Sequence, residues 1–389
     1  AEAFADCPVG PILGASEAVE ADLEHAAKGV LPQAGWRRSA ARQLLHKSLN
    51  GAHAGNGALN EAEAAQWRQL GALALLDDTH DALRAYGRAA ELAPEDADLQ
   101  MLLGVLNLHA GRLDTAEAAF RLQLELANGK DGAEAVRYRA GAMLGDALLA
   151  KGARTDALAA YEAALKEVLA LAEREPVNLR WRRDASVAHD RIGELLLLDG
   201  QFDLALDSFR RSLDIAEALA AAEPASIGRQ HDLSVAHDRV GEALELQGDL
   251  DGALASYRRG LALAEAVTER KPEREDWRWD VSLSLDRIGD VLAAKGKAEE
   301  ALAAYRRGLA IAEAVVVADL ARMEWQRDLA VSCHKIGMLE ARCGREAEAR
   351  EALERGKAII ARLAEIARYQ AQWRADLSKF DAALRGLGP

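Results

Sequence analysis

Gly145, Gly193, Gly241, Gly289 and Gly337 stand 48 residues apart, and the register never slips. A second series, Gly152, Gly200, Gly248, Gly296 and Gly344, keeps the same step, as do Ala157, Ala205, Ala253, Ala301 and Ala349. The fourth residue after the alanine is a ring in four copies (Tyr161, Phe209, Tyr257, Tyr305) and Leu353 in the fifth. A fixed period of this length confines the chain to architectures in which one supersecondary unit stacks on copies of itself. Two or three compact domains, which 389 residues would otherwise allow, have no use for such a period.

Each recurring position has a physical role in a helix pair. The first glycine lets the first helix lie close against its neighbour. The second falls between two helical patterns and supplies the left-handed turn that ends a helix. The alanine on the second helix faces the first, and the ring one turn later fills the space beside it. Such a pair has too little partner surface of its own, so its apolar face has to be covered by the next pair. Composition agrees with helices throughout. Half of the residues are hydrophobic but only 5% are aromatic, and Ala and Leu, which cost least in a helix, dominate the apolar share. No alternating run rich in Val, Ile and Thr suggests a strand.

This order of small residue, loop glycine, alanine and ring resembles the tetratricopeptide repeat, a helix-turn-helix unit. Upstream copies come nearer the family's period. Ala82 and Tyr86 return as Ala116 and Phe120 after 34 residues, Pro94 stands where the family ends its second helix, and the next step, to Ala157 and Tyr161, is 41. The resemblance covers about residues 60 to 377, in seven copies. It implies an all-α fold: a right-handed superhelical solenoid of antiparallel helix pairs. Residues 1–60 read as an N-terminal segment with amphipathic helices at Glu17–Lys28 and Trp36–Leu49 and a Gly-rich loop at Asn50–Asn60. Residues 61–137 hold two shorter repeats, 138–377 five long ones, and 373–389 a capping helix. The 14 extra residues of each long copy, divided between its two helices, lengthen each by ~10 Å. Asn178 and Ser226, after "EP" breaks, are the expected N-caps. Long repeats written like "WQRDLAVSCHKIG" (Trp325–Gly337) resemble arrays in bacterial multi-domain signalling proteins.

Charge narrows the function. The net charge of -14, from 63 acidic and 49 basic residues, argues against a nucleic-acid surface, which usually needs a basic stripe, and equally against an anionic membrane. No apolar run reaches the ~18 residues of a spanning helix. Cys7, Cys333 and Cys343 form no CxxC pair, so neither a zinc site nor a disulfide framework is expected, which fits a reducing, cytoplasmic compartment. Ala1 in place of Met implies a processed chain or a piece of a longer one, and a mature exported protein would look the same at its N-terminus.

Candidate sites follow from the repeat. "GAHAGNG" lacks the Lys-Ser/Thr of a phosphate loop, and no nucleophile, metal or cofactor motif is present. His189 and His237 share a position with Leu285 and Cys333, which marks it as packing. Trp181, Trp277, Trp325 and Trp373, each followed three residues later by Asp184, Asp280, Asp328 or Asp376, read as an inter-repeat seam; the fifth such aspartate is Asp232. There the indole covers the neighbouring pair and the aspartate meets an Arg of "YRR" or "FRR".

The resemblance assigns the concave face to the first helices, at three residues before the glycine and one after. Here these are Asp190 with Glu194, Asp238 with Glu242, Asp286 with Asp290, and finally His334 with Met338. Two readings stay open. One is a solvated face neutralised by Arg191, Arg239, Arg287 and Lys335; the other is a ladder of like charges in an acidic groove for a basic or polar peptide. On the second reading, reversing Asp238, Glu242, Asp286 and Asp290 to Lys is expected to leave helicity intact and abolish partner capture. The chain therefore reads as a non-catalytic scaffold for a protein or peptide, with self-association through its end repeats open to it. The alternative is the sensor or oligomerisation region of a larger bacterial effector.

Overall fold

The computed structural model describes residues 57–75, 78–318, 322–366 and 371–387. The two helices expected before residue 50 lie outside the described residues, and residues 57–60 of the expected Gly-rich loop already belong to the first helix. The described residues are helical almost throughout and contain no strand. In chain order the helices are α1 (Gly57–Leu75), α2 (Thr79–Leu92), α3 (Ala97–His109), α4 (Leu113–Ala127), α5 (Glu134–Ala150), α6 (Arg154–Arg174), α7 (Leu179–Leu198) and α8 (Phe202–Ala222). They continue as α9 (Ile227–Gln247), α10 (Leu250–Arg270), α11 (Glu275–Ala294), α12 (Ala298–Ala318), α13 (Met323–Arg342), α14 (Glu346–Ile366) and α15 (Ala371–Gly386). Two compact units divide the chain, Ala1–Ala188 and His189–Pro389, with the boundary inside α7.

Both units are stacks of antiparallel pairs, odd-numbered helix first. The extra length of the late copies is shared between the two members of a pair: α3 and α4 have 13 and 15 residues, α9 and α10 have 21 each. Ser226 caps α9 by accepting the Arg229 N–H at 3.4 Å, and Asn178 accepts the Arg180 N–H at 3.3 Å where α7 begins.

The loop glycines are left-handed. At the end of α9, Gly248 has φ 86°, and the N–H of Asp249 returns to the Leu244 carbonyl at 2.9 Å. Gly248→Ala meets no neighbour within 4 Å, so its cost is conformational, about 1–2 kcal/mol. Urea denaturation should show that loss with an unchanged m-value.

The repeat glycine has a more definite task than close approach. A Cβ on Gly241 would lie 2.6 Å from Cδ1 of Tyr257, because the ring of the second helix presses against the glycine of the first. The same overlap pairs Gly104 with Phe120, Gly145 with Tyr161, Gly193 with Phe209 and Gly289 with Tyr305. The missing Cβ is the seat of the ring, and the alanine one turn earlier, such as the fully buried Ala253, brings the second helix down onto it. Within the second unit one cluster joins Tyr257, Ile288, Val291, Tyr305, Ile336 and Leu339, so a single core runs through consecutive pairs. At its end α15 lays Phe380 over Gly356 of α14 and edge-on to His334 at 5.1 Å.

The tryptophans cover the preceding copy. Trp277 stacks on His231 at 4.8 Å and Trp325 on Trp279 at 5.0 Å. Their companion aspartates differ from expectation. Asp280 bonds Nε2 of His231 at 2.9 Å and Asp376 bonds Arg327 at 2.8 Å, both on the preceding first helix. The "YRR" arginines point elsewhere, Arg307 to Glu265 at 2.5 Å and Arg258 to Glu300 at 4.0 Å. First helices lie beside first helices, and both aspartates take their partners there, while Arg306 of "YRR" pairs with Glu340 of the next first helix.

Candidate functional site

The carboxylates expected on the first helices separate into two rows. Those three residues before the glycine are turned into the stack. Side-chain exposure is 12% for Asp238 and 13% for Asp286, and each is held by the next copy. Ser284 of α11 donates to Asp238 Oδ2 at 2.6 Å, and Ser332 of α13 donates to Asp286 Oδ2 at 2.6 Å. Arg287 adds an ion pair to Asp238 at 3.3 Å, and Lys335 approaches Asp286 at 3.6 Å. The same two cations lie over the rings of the copy they hold, Arg287 at 5.9 Å from the Tyr257 centroid and Lys335 at 5.8 Å from that of Tyr305, within cation–π range. Asp190 varies the arrangement. The next copy offers Ala236 instead of a serine, and Asp190 bonds to Ser212 of α8.

The other oxygen of all three aspartates is buried without a hydrogen bond. A reason lies in the second helix. Where α8 has Ser212, α10 and α12 have Gly260 and Gly308, and a Cβ on Gly260 would lie 2.5 Å from Asp238 Oδ1. The carboxyl group fills the space of a side chain. Burial pushes the Asp190 and Asp238 carboxyls up to about 6 and raises Asp286 as well, against the pull of Arg239, Arg287 and Lys335 respectively.

The row one residue after the glycine is more open. Side-chain exposure is 31% for Glu194, 34% for Glu242 and 35% for Asp290, and Met338 is 40% exposed. These acids are also joined to neighbours. Arg239 of α9 pairs with Glu194 of the preceding copy and with Glu242 at 3.4 Å. Lys335 bonds Asp290 at 2.7 Å, and Tyr305 donates to the same carboxylate at 2.6 Å. A ladder of unpartnered charge is therefore not what the first helices carry. Each cation two residues before the glycine, Arg239, Arg287 or Lys335, grips acids of the copy before it. Burial also divides the four residues whose joint reversal to Lys was expected to spare helicity: Glu242 and Asp290 are partly exposed, whereas Asp238 and Asp286 are turned into the stack. The serines at 284 and 332 were missed in the sequence, although each stands 46 residues after its aspartate. In the last copy His334 is half-buried against Phe380, which lowers its basicity.

His189 and His237 are buried, as are Leu285 and Cys333 at the same repeat position of later copies, and burial pushes His189 down to about 4. Ser234, near the His231–Asp280 pair, donates to the His231 carbonyl and not to its ring. Among the described residues no cluster of His, Cys, Asp or Glu is placed to hold a metal, and no helix is long and apolar enough to cross a membrane.

Stacked antiparallel pairs, a ring seated on a first-helix glycine and a left-handed glycine between the helices make this a tetratricopeptide-like helical repeat fold. Solved structures share it. Apo RapI is 14% identical over 94% of this chain and 97% of its own, with a TM-score of 0.55. Aspartyl phosphate phosphatase F from Bacillus subtilis is 12% identical over 95% of this chain and 82% of its own, with a TM-score of 0.51. YrrB, described as a TPR protein with an unusual peptide-binding site, is 22% identical over 59% of this chain and 93% of its own, with a TM-score of 0.37. At such identities the likeness to RapI and to phosphatase F speaks for the fold alone, and that to YrrB carries no argument. No protein-family model and no curated protein matches the chain.

Proposed function

We propose that the protein is a non-catalytic scaffold that binds a protein or peptide partner along the concave face of its first helices, through Glu194, Glu242, Asp290 and Met338. The observation that carries this reading is the partial exposure of one side chain per copy at the same repeat position, 31–40% from Glu194 to Met338, while the aspartates three residues before the glycine are turned inward. A surface with one contact per copy, at the spacing of packed helices (~8–10 Å), suits an extended ligand. Three acids and a flexible thioether favour a segment that carries basic and apolar side chains. Asp190, Asp238, Asp286 and His334 support that face from below and are not themselves contacts.

The test is charge reversal confined to the open row. Glu242→Lys with Asp290→Lys should leave the thermal midpoint within a few degrees and weaken a co-purifying partner by about 100-fold, near 3 kcal/mol. Calorimetric titration of that partner reads it. Undiminished binding by the folded double variant contradicts the reading.

A further inference from the structure

On the loop edge of the second unit the repeat is broken in two ways at one place. Three other copies, one in the first unit and two in the second, carry a cation that bridges to the acid opening the second helix of the copy before. Lys151 bonds Asp114 at 2.6 Å, Lys295 bonds Asp251, and Arg345 bonds Glu299 at 2.6 Å. At Asp203, the corresponding acid of α8, the place of the lysine is taken by Gln247, which donates at 2.7 Å and brings no charge. Asp249 adds a second acid beside it, where the following copies have Lys297 and Arg345. The polar surface is altered as well. Leu204 is 53% exposed at a position occupied by Asp156, Gly252, Glu300 and Glu348 in other copies, and Leu246 is 49% exposed where others have Ala150, Leu198, Ala294 and Arg342. Leu204, Leu246, Asp203 and Asp249 line one cleft of about 690 Å³ between the start of α8 and the end of α9.

We infer that this cleft docks a partner-protein segment in which a leucine-sized side chain is flanked by Lys or Arg. The apolar side chain enters between Leu204 and Leu246, and the cations meet Asp203 and Asp249 where the repeat's own lysine is missing. Charge complementarity selects this occupant. A second copy presenting the same edge would bring acid onto acid, in a chain whose net charge is already -14. The site is separate from the Glu242–Asp290 row and stands whether or not that row binds a ligand.

The experiment pans short random peptides displayed on phage against the full chain. Counter-selection uses Leu204→Glu with Leu246→Ala, residues that other copies carry at these places and that keep the stack folded. Enriched peptides should combine an aliphatic residue with flanking Lys or Arg. They should bind the native chain at least about tenfold more tightly than the variant, weaken with added salt, and be unaffected by Glu242→Lys with Asp290→Lys. Asp203→Lys, which changes charge and leaves the leucines, should reduce binding by a similar factor. The proposal is overturned if no peptide is enriched, if the enriched peptides lack basic residues, if the variant binds them equally, or if sedimentation shows that Leu204 and Leu246 mediate self-association instead.

Discussion

Asp238→Lys is expected to abolish cooperative folding of the His189–Pro389 unit at neutral pH, whereas Asp238→Asn leaves it folded. The lysine would place an ammonium in a buried site beside Arg287 and strip Ser284 of its acceptor. An uncompensated buried charge costs several kcal/mol, a large share of the 5–15 kcal/mol that holds a typical domain together. Asparagine retains the shape and an acceptor for Ser284, and its amide can donate toward the Ser234 carbonyl, which faces the same space beside Gly260. Thermal unfolding followed by circular dichroism separates the two variants.

The asparagine variant also has a pH signature. The Asp238 carboxyl titrates near 6 in the folded protein against an ordinary 3.8. Between those values the folded state holds more protons than the unfolded one, so this group's contribution falls as pH rises through about 4 to 6 and is constant above. Buried histidines oppose it: His189, pushed down to about 4, and His237, also lowered by burial, make stability rise with pH over much of the same window. Removing the Asp238 titration should therefore let the variant gain on the native protein from pH 4 to pH 7, by about 3 kcal/mol at most. Urea midpoints at the two pH values check it; a constant difference contradicts it.

Gly241→Ala should destabilise the second unit by about 2–3 kcal/mol, because the new methyl group meets the Tyr257 ring at 2.6 Å and both are clamped between helices. The same substitution at Gly87 meets nothing within 4 Å and should stabilise the first unit by about 1 kcal/mol through helix propensity. Opposite signs for one chemical change distinguish a seat for a ring from an ordinary helical glycine. Denaturant titration of both variants reads them, and a neutral Gly241→Ala would mean that the ring is not seated there.

The period made the fold legible, since a step of 48 fixed helix pairing, loop glycines and ring positions in one stroke. Direction was harder to read. The spacing places Asp238 and Glu242 one turn apart on α9, yet one is turned into the stack and the other outward. That difference depends on what lies opposite, namely Gly260 on α10 and Ser284 on α11, 22 and 46 residues away. A pattern on one helix does not contain it. For the same reason the seam aspartates were assigned to the wrong arginines: Arg327 and Arg306 are equally available in the sequence, and only the side-by-side packing of first helices selects Arg327 for Asp376. Leu204 and Leu246 are the converse case. The departure of Leu204 from the residues of other copies is visible in their alignment, whereas Leu246 repeats Leu198, and the exposure of neither can be read there.

The account rests on the claim that the inward aspartates join one copy to the next and leave the outer row for a partner. A double-mutant cycle on Asp238 and Ser284, using Asp238→Ala, Ser284→Ala and the pair, tests it most directly through denaturant unfolding of the four proteins. The account predicts a coupling energy of about 1–3 kcal/mol, as for a buried hydrogen bond to a charged group. Additive losses, with coupling near zero, would contradict it.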